Sequence, residues 1–177
     1  MTLHTRDASR LFIGRAPIPG ANSQPMVGAK KVGAALRAIW YLSSSDNPYA
    51  DFALIDGQAS INILVHDMEL KIDEMEGKLA KLAKRGLVYS IVRADPPATV
   101  ELGFKSPYGY QLVGMVSTFD YFVRLTKTLV RKDLLSDVEG HDSIYTVTRK
   151  ARQIFERISR FERYLQREEL RPLCRAD

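Results

Sequence analysis

Residues 98–134 read ATVELGFKSPYGYQLVGMVSTFDYFVRLTKTLVRKDL, and inside that stretch a period of two gives way to one near 3.6. From Thr99 to Lys105, the apolar Val100, Leu102 and Phe104 alternate with Thr99, Glu101, Gly103 and Lys105. That alternation predicts a strand with one face on a core and the other in water. Ser106 then offers a hydroxyl to unpaired amides, and Pro107 suits a first helical position, where its missing N–H costs nothing. Beyond it Leu112, Met115, Val116, Phe119, Phe122, Val123, Thr126, Leu129 and Val130 recur at three- and four-residue steps. A helix over about Pro107 to Lys132 therefore turns one stripe to a core, weakened slightly by Gly109 and Gly114.

The flanks supply further elements. After Leu134, Ser136 and Glu139 form an S-x-x-E capping box, which opens a second helix through Ile144, Val147, Ala151, Ile154, Phe155, Ile158, Phe161 and Leu165, with Gly140 as a point of division. Upstream, Leu87–Val92 is a β-rich run, and Asp95-Pro96-Pro97 signals a turn before Thr99, so a local hairpin is open as well as a strand that pairs between subunits. Asn47-Pro48 starts a long helix with Leu54, Gln58, Ile61, Val65, Met68, Ile72, Met75, Leu79 and Leu82 at heptad spacing, stopped by Arg85-Gly86. An intramolecular helical hairpin accounts for that stripe better than a dimeric coiled coil, because Gly57 and Gly77 soften a free-standing zipper. Ala29–Leu42 carries the helical stripe Val32, Ala35, Leu36, Ile39 and Trp40, with Trp40 assigned to the core, and residues 20–28 read as a loop. Leu11-Phe12-Ile13, closed by Pro17 and Pro19, reads as a short strand or an extended arm.

A chain of 177 residues, 45% hydrophobic and 27% charged, describes one globular unit. Within it, residues 1–95 form an N-terminal arm and helical hairpin, and residues 96–177 form the region opened by the strand. No apolar run approaches the roughly 18 to 20 residues that cross a bilayer, and the N-terminus lacks a signal peptide's apolar centre, so a cytoplasmic location is expected. The one cysteine, Cys174, excludes an internal disulfide and a multi-cysteine zinc site. His4, His66 and His141 are far apart in sequence, and there is no phosphate-binding glycine loop and no metalloprotease motif. His66-Asp67 with Glu69 sits within the heptad helix, where solvent exposure is the ordinary explanation. No catalysis, metal or cofactor is expected.

Charge points elsewhere. Lys and Arg number 26 against 21 Asp and Glu, a net charge of +5. Between Arg149 and Arg175 nine basic residues face four acidic ones, an excess that equals the whole net charge. A clustered basic face is the electrostatic footprint of a polyanion, although a solvated helix face has the same pattern.

The opening LHTRDASRLFIGR, the DNPYAD at residues 46–51 and FKSPYGYQLVGMVSTFDYFVRLTKTLV resemble a family of proteins found in integrating conjugative elements, similar to the AcaB-type transcriptional activators of conjugative plasmids. The resemblance spans most of the chain. It implies a mainly α fold with a small β component: a ribbon-helix-helix core with extended helices and an N-terminal helical addition. It also implies regulation of transfer genes by sequence-specific binding of double-stranded DNA as a homodimer, with a β-ribbon in the major groove. In such a site Thr99, Glu101, Gly103 and Lys105 read bases: Lys105 donates to guanine, Glu101 accepts from cytosine, Thr99 bonds a base edge or touches a thymine methyl, and Gly103 permits close approach. The helix start at Ser136, with Lys127, Arg131, Lys132, Arg149, Lys150 and Arg152, supplies phosphate contacts. An obligate homodimer follows from an unpaired ribbon strand, and RNA polymerase or another element protein is a further partner. The competing reading is a non-catalytic scaffolding component of a conjugation system, built around the heptad helix and free of salt-dependent DNA binding.

Overall fold

Thr5 starts the first helix rather than a strand or arm: its hydroxyl accepts from the Ala8 amide at 3.2 Å, and Ala8, Leu11 and Phe12 are buried on one side of the turn that follows. The Leu11–Ile13 run is thus helical, because a cap and a three-to-four-residue apolar spacing act together where the run alone is ambiguous. The computed structural model describes residues 1–16, 25–45, 47–104 and 106–167. Pro17, Pro19, Asp46, Lys105 and Cys174, with most of the predicted loop at 20–28 and the end of the basic segment, lie outside the described residues. Within them the order is β1 (Thr2–Leu3), α1 (Arg6–Ile13), α2 (Ala29–Ser43), α3 (Pro48–Ala83), β2 (Ala98–Thr99), α4 (Pro107–Arg131) and α5 (Asp137–Leu165).

The long helices begin and end where local chemistry places them. Asn47 accepts from the Tyr49 and Ala50 amides ahead of α3, and Ser106 accepts from Gly109 ahead of α4, each with proline in the first turn. Ser136 and Glu139 complete a reciprocal capping box at α5, which runs through Gly140 without a break. Gly140 is needed for another reason: a Cβ there would meet Val130 Cγ2 at 2.5 Å, so the residue sets how closely α5 crosses the end of α4.

Helix α4 is enclosed by α1, α2, α3 and α5. Leu112, Met115, Val116, Phe119, Phe122, Val123, Thr126 and Leu129 are buried as their spacing predicts, and Leu125 and Thr128 are buried outside that stripe. On α3 the heptad residues Leu54, Ile61, Met68, Ile72 and Met75 face inward, which is the intramolecular packing the hairpin reading expects. Leu79 and Leu82 are only partly buried, and Trp40 is half-buried against Tyr108 instead of in the core. One connected core draws on residues from both sides of position 95.

The β component departs from expectation. The ladder is two residues long in each strand, and β2 pairs antiparallel with β1 of the same chain, Thr2 opposite Thr99 and Leu3 opposite Ala98. Met1 and Val100 extend it by exchanging N–H···O bonds of 2.9 Å. Leu87–Val92 is not a strand and forms no hairpin with β2; it lies along α4, with the Val92 amide donating to Thr128 and Arg124 donating to the Val92 carbonyl. With both main-chain groups of Val92 taken by α4 side chains, the end of this run is unavailable to a ladder. Period two nevertheless survives in the burial of 99–104: Thr99, Glu101 and Gly103 are exposed, while Val100, Leu102 and Phe104 pack on the core. The predicted strand faces are therefore present without the predicted strand beyond Thr99.

Two contacts hold this corner. The buried carboxylate of Asp120 accepts from the His4 and Thr5 amides at 3.1 and 2.8 Å and from the Thr5 hydroxyl at 2.7 Å, which ties the N-terminus to the middle of α4. Phe104 lies against Gly33 of α2 and Gly109 of α4, where a Cβ at either would collide with its ring, and meets Phe12 edge-on with centroids 6.2 Å apart. Asp120→Ala is expected to cost about 2–4 kcal/mol in chemical denaturation, since three donors lose a charged acceptor, and to abolish hydrogen-exchange protection at Thr5 and Val100. Asp7→Ala, which removes a partly exposed pair with Lys127, is expected to cost less than about 1 kcal/mol. Gly33→Ala should destabilise strongly in the parent but weakly in a Phe104→Ala background, a non-additivity that double-mutant denaturation reads directly.

Candidate nucleic-acid interface

Helix α5 displays its basic residues on two separate faces. At 3.6 residues per turn His141, Tyr145, Thr148, Arg149 and Arg152 share one side, and Lys150, Gln153 and Arg157 share another. The first side lies beside Lys127 of α4 and Asp7 of α1, and together these groups line a groove of ≈ 350 Å³. Of the predicted phosphate contacts, Lys127, Arg149 and Arg152 converge here, brought from two helices by the turn at 132–136. Arg149 and Arg152 are exposed. Lys127 is partly buried and donates to Asp7 at 2.7 Å, a neighbour that lowers the groove's positive potential at that end. His141 and Tyr145 stack with ring planes 9° apart, forming an aromatic wall beside the cations. The rings and Thr148 escaped the sequence reading, although their four- and seven-residue spacing from His141 and Arg152 is the signal that groups them with it.

The remaining phosphate candidates go elsewhere. Lys150 reaches across to α3 and donates to Asp67 at 2.7 Å, and this contact, with the attraction of the ammonium, holds the Asp67 carboxyl below the usual carboxylate range. Arg157 on the same side pairs with Asp56 at 3.0 Å. Lys132 leaves the groove and lies over the Tyr89 ring at 5.3 Å, while Arg131 is exposed at the last turn of α4. Ser136 already has an anionic partner: its hydroxyl donates to Glu139 at 2.6 Å and its amide at 3.1 Å, and these bonds keep the Glu139 carboxyl below its ordinary range. A phosphate approaching the start of α5 meets that carboxylate and Asp137 before it meets free amides.

Thr99, Glu101 and Gly103 form an exposed row on the segment between β2 and α4, and Lys105 lies outside the described residues. Thr99 and Thr2 are a non-hydrogen-bonded pair, because the flanking Met1 and Val100 exchange the ladder bonds. The Thr99 amide and carbonyl consequently point away from β1, toward the other edge of β2. Gly103 has φ +53, and among the described residues beyond its chain neighbours no atom lies within 4 Å of where a Cβ would stand, so glycine serves the backbone turn there. Its neighbours are the cations Lys30, Lys31 and Arg37 of α2, a basic group that the count over Arg149–Arg175 overlooks. No helix among the described residues is long and apolar enough to cross a membrane.

Comparison with known proteins matches this arrangement to one family. The family model for the transcriptional regulator AcaB matches residues 1–176. A crystal structure of selenomethionine-containing AcaB from uropathogenic E. coli superposes with a TM-score of 0.66 at 14% identity, covering 99% of this chain and 86% of that one, which shows a shared fold. No curated protein sequence matches. Matched by that family model over residues 1–176, the chain belongs to the AcaB family of transcriptional regulators.

Proposed function

We propose that the chain binds double-stranded DNA as a homodimer in the cytoplasm and controls transcription of conjugative-element transfer genes. The observation that carries this reading is the convergence of Lys127, Arg149 and Arg152 in one groove between α4 and α5, flanked by the stacked His141 and Tyr145. Positive side chains from two rigid helices track a phosphate backbone at little ordering cost, and each neutralised phosphate releases counterions. Arg131 extends the charge at the end of α4, and Lys132, Lys150 and the Ser136 helix start lie outside the groove, each with an in-chain partner as Lys127 has in Asp7. Base reading falls to Thr99, Glu101 and Gly103, with Lys105 next in the row. In the ribbon-helix-helix arrangement, the edge of β2 that bears the Thr99 amide pairs with the same edge of a second copy. Residues 96–167 then carry the DNA contacts and residues 1–95 support them from behind, through β1 and the packing of α2 and α3.

Arg149→Ala with Arg152→Ala is expected to weaken binding to any duplex and to reduce the slope of log affinity against log salt by about two phosphates' worth. Glu101→Ala and Thr99→Ala are each expected to shift preference at one operator position by roughly 1–3 kcal/mol while leaving the salt slope intact. Anisotropy titrations on element-derived and random duplexes over a salt series distinguish the two outcomes. A scaffolding protein instead shows no salt-dependent duplex binding in the same titrations. Sedimentation equilibrium at micromolar concentration is expected to find a dimer, and a stable folded monomer removes the ribbon.

A further inference from the structure

We propose that the trough along α2, between that helix and residues 102–104, docks an acidic segment of a partner protein through apolar anchors. Lys30, Ala34, Arg37, Ala38 and Tyr41 recur at four, seven, eight and eleven residues along the outward side of α2. The small Ala34 and Ala38 leave a hollow of ≈ 550 Å³ in the middle of that row, and Phe104, seated on Gly33, forms its inner wall. Ile13 and Lys31 also line a second hollow of ≈ 430 Å³, bordered by Met26 and Val27. Two hollows on either side of the same two residues suit a peptide better than a compact metabolite. Two large side chains of the lining stand in water: Ile13 is 64% exposed and Tyr41 is 55% exposed, although Arg37 and Trp40 lie against the Tyr41 ring.

Charge selects the occupant. Lys30, Lys31 and Arg37 border the main hollow, and no carboxylate lines it among the described residues. Arg37 spends one donor on the Tyr41 hydroxyl at 3.1 Å and lies over that ring, while its Nε is shielded from solvent with no hydrogen-bond partner among the described residues. A guanidinium placed over an aromatic ring at the border of an apolar hollow offers its remaining terminal N–H groups to a carboxylate. Nucleic acid fits less well, because a sugar–phosphate backbone gains nothing from Ile13, Leu102 or Phe104. The trough shares no lining residue with the groove between α4 and α5, but it is lined by Gly103 of the proposed base-reading row, so a trough partner and a bound duplex meet at that residue. Peptide binding is measured without DNA, so its failure and failure of the DNA reading are distinguishable.

The test uses the full chain and a fluorescein-labelled peptide of about twelve residues with Glu and Asp on one helical face and Leu and Phe on the other. Control peptides replace the apolar residues with Ser or the acids with Lys. Ala34→Trp, which fills the hollow from an exposed position, and Arg37→Glu are each expected to weaken binding of the acidic peptide about tenfold. Both should weaken peptide binding by a larger factor than duplex binding, whereas the Arg149 and Arg152 variants do the reverse. Lys30→Glu with Lys31→Glu, two exposed positions remote from the core, repeats the measurement if Ala34→Trp fails to fold. The proposal is overturned if the acidic peptide binds no better than the Ser-substituted one, or if the variants leave its affinity unchanged. It is equally overturned if Ala34→Trp weakens duplex binding as much as peptide binding, because the trough then belongs to the DNA surface.

Discussion

The burial of α4 constrains everything around it. A helix with Leu112, Phe119 and Val123 on one side and Phe122, Leu125 and Leu129 on others has too little polar circumference to lie on a surface. Its apolar groups leave water only if other elements surround them, and α1, α2, α3 and α5 all pack on it. The one charged group in its middle, Asp120, is tolerated because three donors from His4 and Thr5 satisfy it. The same residue that makes α4 awkward to bury therefore recruits the N-terminus, sets β1 beside β2 and positions the exposed row at Thr99, Glu101 and Gly103.

Glycine supplies the close approaches that complete this enclosure. Gly33 and Gly109 admit the Phe104 ring between α2 and α4, which pins the segment after β2 against the helices although it has no ladder beyond Val100. Gly140 lets α5 cross the end of α4 near Val130. That crossing brings Arg149 and Arg152 to the side of Lys127. A larger residue at 140 would force the helices apart and open the groove that gathers those cations, so packing inside the protein and charge outside it are coupled at one position.

The two basic surfaces have different characters. Beside α4 and α5 the cations stand with His141, Tyr145 and Thr148 in a groove of mixed polarity, whereas along α2 they rim a mainly apolar hollow. Electrostatic attraction alone suits the first, because a duplex presents uniform charge. The second adds burial of apolar groups, which rewards a partner that carries both. Lys150 and Arg157, equally basic in composition, bind Asp67 and Asp56 across α3 and serve cohesion instead.

Local chemistry determined the helices. Ser106-Pro107, Asn47-Pro48 and the Ser136–Glu139 box are satisfied within a few residues of themselves, so the boundaries of α3, α4 and α5 were legible in the chain, as was the inward stripe of α4. The resemblance of three stretches of sequence to the AcaB proteins was legible too, and the family follows from it. The pairing of β2 was not, because a strand's partner is chosen by long-range geometry: Met1–Leu3 stands 95 to 99 residues from its partners Ala98–Val100, and Asp120 anchors the adjoining His4 and Thr5. Leu11–Ile13 was ambiguous for want of length, and Leu87–Val92, rich in β-formers, lost its ladder to side chains of α4. Which cations face a partner and which face Asp67 or Asp56 was likewise decided in three dimensions. Composition counts charges, but the crossing of α5 over α3 and α4 assigns them to faces.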